Sequence, residues 1–310
     1  MNSRSGVFSS LPLGDLFRFQ DLWSMTKPTI TLLVVITTIP SLFLASTDFP
    51  TLELIMLAVC GTALASASAA IFNQVLEVNI DDRMRRTKAR ALPQGRVNKG
   101  VAVFWGVVIG LSGVWLLYLT GSAVPCVVAL AGHFFYVVVY TLYLKPRTIQ
   151  NIVIGGAAGS VGPLIGWSAV SGELPALAWA MSAVIFLWTP PHFWALALQY
   201  KNDYAQAGIP MYPVVKGDRA TRKAIFLYCL PLVALTYYPL LVGAVGLPYA
   251  LISSLLNIKI LVSAWRLYSS NDNKHAMPLF LFSCVYVFVL FITLACERAW
   301  ILLYLGNTHA

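Results

Sequence analysis

Charged side chains are scarce in this chain. Asp, Glu, Lys and Arg make up 11% of its 310 residues against 58% hydrophobic ones, and the mean hydropathy is +0.75. That scarcity excludes an ordinary soluble globule, which carries about 25% charged residues and could not bury so many apolar runs in one core. Cysteines are few and isolated: Cys60, Cys126, Cys229, Cys284 and Cys296 form no CxxC and no Cys/His spacing, which excludes a zinc site and a redox pair and reads as small buried hydrophobes. No glycine-rich nucleotide loop sits in a βαβ context, and no internal duplication of the transporter kind is visible. Before Trp23 there is no apolar signal-peptide core, and the N-terminus is short and poor in Arg for an organelle presequence, so the expected location is a bacterial cytoplasmic (inner) membrane.

What the chain does have is long apolar stretches. A spanning helix needs about 20 mostly apolar residues, and only helices or closed barrels satisfy the backbone in lipid. Nine such segments occur, at 29–46, 53–75, 101–120, 123–143, 150–170, 174–199, 224–243, 246–266 and 277–303. The expected fold is therefore all-α: an N-terminal segment over 1–28, a single nine-helix transmembrane domain over 29–303, and a short tail over 304–310.

The cations sort by side. Arg4, Arg18 and Lys27 precede the first segment, and seven lie between Arg83 and Lys99. Lys145 and Arg147 follow the fourth segment, five from Lys201 to Lys223 follow the sixth, and Lys259, Arg266 and Lys274 are assigned to the end of the eighth and its loop. Only Arg298 of the 21 stands opposite. The positive-inside rule then places the N-terminus in the cytoplasm and the C-terminus outside. Basic residues spread over several loops, with no binding module, exclude nucleic acid as a partner. The polar loops after segments two, four and six share one face, where function is expected to concentrate.

Eight charged side chains crowd the stretch from Asn73 to Leu92. Asn73, Glu77 and Asp81 recur every four residues, so on a helix they share a face over about 12 Å, drifting by about 40° per step. Three oxygen donors on one stripe suit a hard cation such as Mg²⁺. Behind them Arg83, Arg85, Arg86, Lys88 and Arg90 suit phosphate oxygens, so a metal-bridged polyphosphate is the expected ligand. A second constellation runs from Phe186 to Pro213. Pro190 and Pro191 are expected to break the sixth segment, with Thr189 capping a restarted helix on which His192, Gln199 and Asp203 fall within about 20° of one stripe. A third, Tyr140 to Trp167, brings Lys145 and Arg147 to the same face. It also holds Gly155, Gly156, Gly159 and Gly162, which read as close-packing positions or as room for a flat ligand.

Taken with their order, these motifs resemble the UbiA superfamily of intramembrane prenyltransferases, and within it the branch that farnesylates haem. The resemblance rests on Lys27-Pro28, Asn73-x3-Glu77-x3-Asp81 followed by Arg86-Thr87 and Arg90-x-Leu92, Lys145 to Asn151 with Gly155-Gly156, and Pro191-His192-Phe193-Trp194 followed by Asp203-Tyr204 and Ala207 to Met211. It covers about residues 25–300. Where relatives carry an acid in the second motif, this chain has Gln199. The resemblance implies transfer of a farnesyl group from farnesyl diphosphate to a vinyl group of haem b, giving haem O. It implies Mg²⁺ held by Asn73, Glu77, Asp81 and Asp203, and diphosphate oxygens held by Arg86, Lys145 and Arg147. Arg90, Asn151, Tyr204 and Gln199 are implied as further binding residues, His192 as a residue of the haem end, and a haem A synthase or oxidase-assembly protein as partner. The readings it displaces are a prenyltransferase acting on an aromatic quinone precursor, a transporter and a haem-carrying membrane protein.

Overall fold

Nine helices long and apolar enough to cross a bilayer run through the residues that the computed structural model describes, 18–308. They are Pro28–Ala45, Leu52–Asp81, Lys99–Tyr118, Val124–Arg147, Asn151–Ser171, Ala176–Gln199, Tyr212–Leu241, Leu247–Ser269 and Ala276–Tyr304, one for each segment expected from the sequence. No strand occurs among the described residues, and the all-α expectation holds. Arg4, most of the 1–28 segment and the last two residues of the tail lie outside them.

Short polar caps set where the spans begin. The Thr51 hydroxyl accepts the Leu54 N–H at 3.2 Å to start the second span, and the Asn98 carboxamide accepts the Gly100 N–H at 2.7 Å to start the third. With no hydrophobic force to join helices in lipid, small residues and hydrogen bonds do so. Ser68 donates to the Gly106 carbonyl at 2.8 Å across the second and third spans. Where the first span meets the fifth, a Cβ on Gly166 would fall on the Thr38 carbonyl, a backbone atom that cannot swing aside. Gly166→Val is therefore expected to cost about 2–3 kcal/mol, seen as a lower melting temperature in detergent and less inserted protein.

The two ends of the bundle differ in chemistry. At one end Arg86, Lys145, Lys201, Asp218 and Asn273 interact across the loops that follow spans two, four, six and eight. At the other, Glu297 accepts the backbone N–H groups of Gly246 and Tyr249 (the latter at 2.7 Å), while Arg298 donates to the carbonyls of Phe43 (3.4 Å) and Ser46 (3.2 Å). Adjacent residues thus cap a helix start with an anion and a helix end with a cation, each matching its dipole.

Three expectations change. Pro190 and Pro191 do not break the sixth span: Ala176–Gln199 is one helix, and the Thr189 hydroxyl bonds back to the Ile185 carbonyl at 2.8 Å. Packing against buried neighbours lets a spanning helix absorb proline. Lys259 lies at the middle of the eighth span, its Nζ 4.4 Å from the Phe282 ring centroid, and so does not belong to the loop. The fourth span is α-helical only to Phe134 and π-helical from Phe135 to Leu144, which no period in the sequence announces. Of the four glycines in the third constellation, Gly155 packs on Tyr140, Gly156 on Thr189 and Gly162 on Thr37. Gly159 faces open space.

Candidate active site

At the end of the second span Asn73, Glu77 and Asp81 are each 2% exposed, and each is held by a cation from a different part of the chain. Lys27 Nζ donates to Asn73 Oδ1 at 2.7 Å, Lys145 Nζ to Glu77 Oε1 at 2.6 Å, and Arg90 Nη1 to Asp81 Oδ2 at 2.6 Å. Buried carboxylates would otherwise be very costly, so the pairing explains how they survive at this depth. Glu77 Oε2 and Asp81 Oδ1 accept no hydrogen bond from any described residue. Hard oxygen donors with free lone pairs, two turns of one helix face, fit a hydrated Mg²⁺. Three cations against two carboxylates leave a net positive charge for a polyphosphate.

Local structure delivers each cation. Lys27 is the one non-glycine residue with positive φ among those described (φ 48°), and it precedes Pro28, which disfavours the helical region there. Such strain persists only where surroundings enforce it. Here Gln74 Nε2 donates to the Met25 carbonyl at 2.7 Å and Asn73 takes the ammonium, so the adjacent Asn-Gln pair grips both ends of the turn. Arg90 returns to Asp81 because Met84, Ala91 and Leu92 are buried and the Thr87 hydroxyl donates to the Asp81 carbonyl at 3.0 Å. Lys145 follows directly on the π-helix, four residues after Thr141. The widened turn is closed by Thr141, whose hydroxyl donates to the Tyr136 carbonyl at 2.8 Å and accepts from Asn73 Nδ2 at 3.0 Å.

Burial pushes the Lys27 ammonium down to about 7; the charges of Arg90 and Lys145 act in the same direction, and those of Glu77 and Asp81 oppose it. A basic side chain is thereby poised to gain or lose its proton near neutrality.

The other expected residues are placed less uniformly. Arg86 is exposed and sets its guanidinium 5.9 Å from the Tyr200 ring centroid, linking the loops after spans two and six. Asp203 is half-buried and Tyr204 buried on the short helix Lys201–Gln206. The stripe runs from His192 to Gln199, the exposed last residue of the sixth span, but does not extend to Asp203, since Tyr200 leaves helical geometry (φ −105°, ψ 25°) between them. No three of His, Cys, Asp and Glu come together among the described residues, so Asp203 does not join Glu77 and Asp81 in one metal cluster. Asn151 is buried, donating to the Thr148 carbonyl at 2.7 Å with its Oδ1 unpartnered. Arg147 caps its own helix end, donating to the Leu142 carbonyl at 2.5 Å and lying 5.0 Å from the Tyr143 ring centroid. Arg147→Ala is expected to change turnover less than about threefold, against a loss of about a hundredfold for Lys145→Ala, in the same steady-state assay. His192 lies far along the sixth span, Nδ1 2.7 Å from Ser283 Oγ.

The sequence matches the model of the UbiA prenyltransferase family over residues 34–304. The chain belongs to that family. A relative from Gloeobacter violaceus named protoheme IX farnesyltransferase is 40% identical over 91% of this chain and 92% of its own length, and one of the same name from Herminiimonas arsenicoxydans is 38% identical over 91% and 96%. Among solved structures, a UbiA homologue from Archaeoglobus fulgidus bound to DMAPP and Mg²⁺ superposes with a TM-score of 0.68 at 15% identity, covering 88% of this chain and 99% of that one, and so shares the fold. Within this UbiA-family chain, Lys27, Gln74 and Thr141 are site residues that the spacing of the acidic stripe does not reveal. The one sequence signal for them is Gln74 standing directly beside Asn73 and Lys27 directly before a proline.

Proposed function

We propose that this UbiA-family chain transfers a farnesyl group from farnesyl diphosphate to a vinyl group of haem b, with addition of water, and so makes haem O. The observation that carries the reading is the triple pairing of Lys27 with Asn73, Lys145 with Glu77 and Arg90 with Asp81; the names of the 38–40% identical relatives supply the haem acceptor. Lys27, Arg90 and Lys145 bind diphosphate oxygens, and their attraction strengthens as the allylic C–O bond breaks and negative charge gathers on the leaving group, so it lowers the barrier. Mg²⁺ held by Glu77 and Asp81, with Asn73, supplies Lewis-acid stabilisation of the same oxygens. The vinyl π electrons form the new C–C bond to the farnesyl carbon, and water captures the haem-side cation with loss of a proton. Burial in the bundle keeps water from the allylic cation before the vinyl group reaches it. Asp203 and Arg86, on loops at the same end, close the diphosphate from the cytoplasmic side of a bacterial inner membrane, with the N-terminus inside and the C-terminus outside. The nine spans act as one transmembrane unit, and the lipophilic product calls for a membrane-bound receiver such as haem A synthase or an oxidase-assembly protein.

The test is incubation of the purified protein with Mg²⁺, farnesyl diphosphate and haem b, with the porphyrin product read by mass. Haem carrying one farnesyl group and one water is the expected product. Prenylated hydroxybenzoate in a parallel reaction, with haem unchanged, would overturn the acceptor assignment.

A further inference from the structure

His192 is bonded at one nitrogen only. Its ring is stacked against Trp188, one turn earlier on the sixth span, at 4.2 Å and 24°, and against Phe280 of the ninth span at 4.5 Å and 29°. Two nearly parallel rings at those distances occupy its two faces, and Phe193 meets it edge-on at 5.1 Å. The imidazole therefore cannot turn. Nδ1 lies 2.7 Å from Ser283 Oγ, and the same hydroxyl lies 2.6 Å from the Phe280 carbonyl. A carbonyl accepts only, so the single hydroxyl proton goes to Phe280 and the oxygen has just a lone pair to offer His192. The ring proton must then sit on Nδ1. Trp188 Nε1 donates to the Ser283 carbonyl at 2.8 Å, tying the ring's stacking partner to the same residue. Nε2 has no partner among the described residues. Nor is it among the fully buried atoms left without a partner, so it opens to space outside the packed core.

We infer that Ser283 is a positioning residue that holds His192 as the Nδ1–H tautomer, leaving Nε2 as a fixed lone pair that coordinates the iron of the acceptor haem. A neutral imidazole oriented through its other nitrogen is the usual form of a histidine metal ligand. The same tautomer excludes a propionate partner, which would need a proton on Nε2. The tautomer stands on geometry alone; its use on haem rests on the function proposed above.

The chain has four histidines, His133, His192, His275 and His309, so ¹⁵N-histidine NMR of the protein in nanodiscs resolves the ring, assigned with His192→Gln. The expected wild-type spectrum shows His192 protonated at Nδ1 and bare at Nε2. Ser283→Ala should mix the tautomers and weaken ferric haem b binding by about tenfold or more, read from the Soret shift of nitrogen ligation. The KM for farnesyl diphosphate should not move, because that substrate sits at the other site. Ser283→Thr should restore both signals. Cys284, whose Sγ is 4.0 Å from the same Nδ1, should be replaceable by Ala without effect. A wild-type ring protonated at Nε2 would overturn the inference without any variant, and so would an unchanged haem spectrum in Ser283→Ala. Normal ligation with no farnesylated product would instead remove the proposed reaction and leave the tautomer standing.

Discussion

Asp81→Asn is expected to lower kcat/KM by about a thousandfold, the scale on which one preorganised electrostatic contact to a developing anion is lost. The substitution keeps the shape and an acceptor oxygen for Arg90, and removes one negative charge from a residue 2% exposed. Arg90 keeps access to water, with 24% of its side chain exposed, so the protein should still insert and fold. The Mg²⁺ concentration giving half-maximal rate should rise in parallel, because Asp81 is one of the two carboxylates with a free oxygen. Rates, magnesium dependence and the amount of monodisperse protein can be measured on one preparation. Turnover within a few-fold of wild type would remove the metal role from Asp81.

Lys27→Met should lower affinity for a non-reacting farnesyl thiodiphosphate by about a hundredfold below pH 7 and also flatten its dependence on pH. In the ligand-free protein Lys27 is held down to about 7, so it is charged below that pH and loses its proton above it. A bound diphosphate favours the charged form. Binding above pH 7 therefore takes up a proton, and affinity should fall by up to about tenfold per pH unit until the pKa of the complex is reached. Methionine keeps the length of the side chain and cannot titrate. The ratio of wild-type to variant affinity cancels the ligand's own ionisation, so calorimetry at several pH values isolates Lys27. A ratio that stays constant from pH 6.5 to 9 would contradict the role given to this amine.

Much of the fold was legible because membrane insertion is a one-dimensional problem. Each span had to carry its own run of apolar residues, and each expected segment corresponds to one helix. The acidic stripe was legible for a related reason: Asn73, Glu77 and Asp81 lie on one uninterrupted helix, where a spacing of four becomes a shared face. The arginines at this face were readable only as a group. Arg90, Arg86 and Arg147 look alike in the chain, yet Arg90 turns in to Asp81, Arg86 faces Tyr200, and Arg147 is spent on its own helix end.

Local chemistry misled where tertiary contacts overrode it. Pro190-Pro191 signals a break, but the sixth span is packed on several sides and stays one helix through both prolines. The helical register from His192 to Asp203 failed at Tyr200, where one residue outside helical geometry is enough to shift the phase of all that follows.

From its sequence alone the chain was bound to be a nine-span membrane protein with a stripe of oxygen donors followed by arginines at one face, since apolar length and helical spacing are properties of contiguous residues. Which cation meets which oxygen was decided only in three dimensions. Lys27 reaches Asn73 across 46 residues and Lys145 reaches Glu77 across 68. Both lysines stand at backbone forms that the sequence does not announce, one left-handed before proline and the other directly after a π-helical turn, each form held by partners distant in the chain.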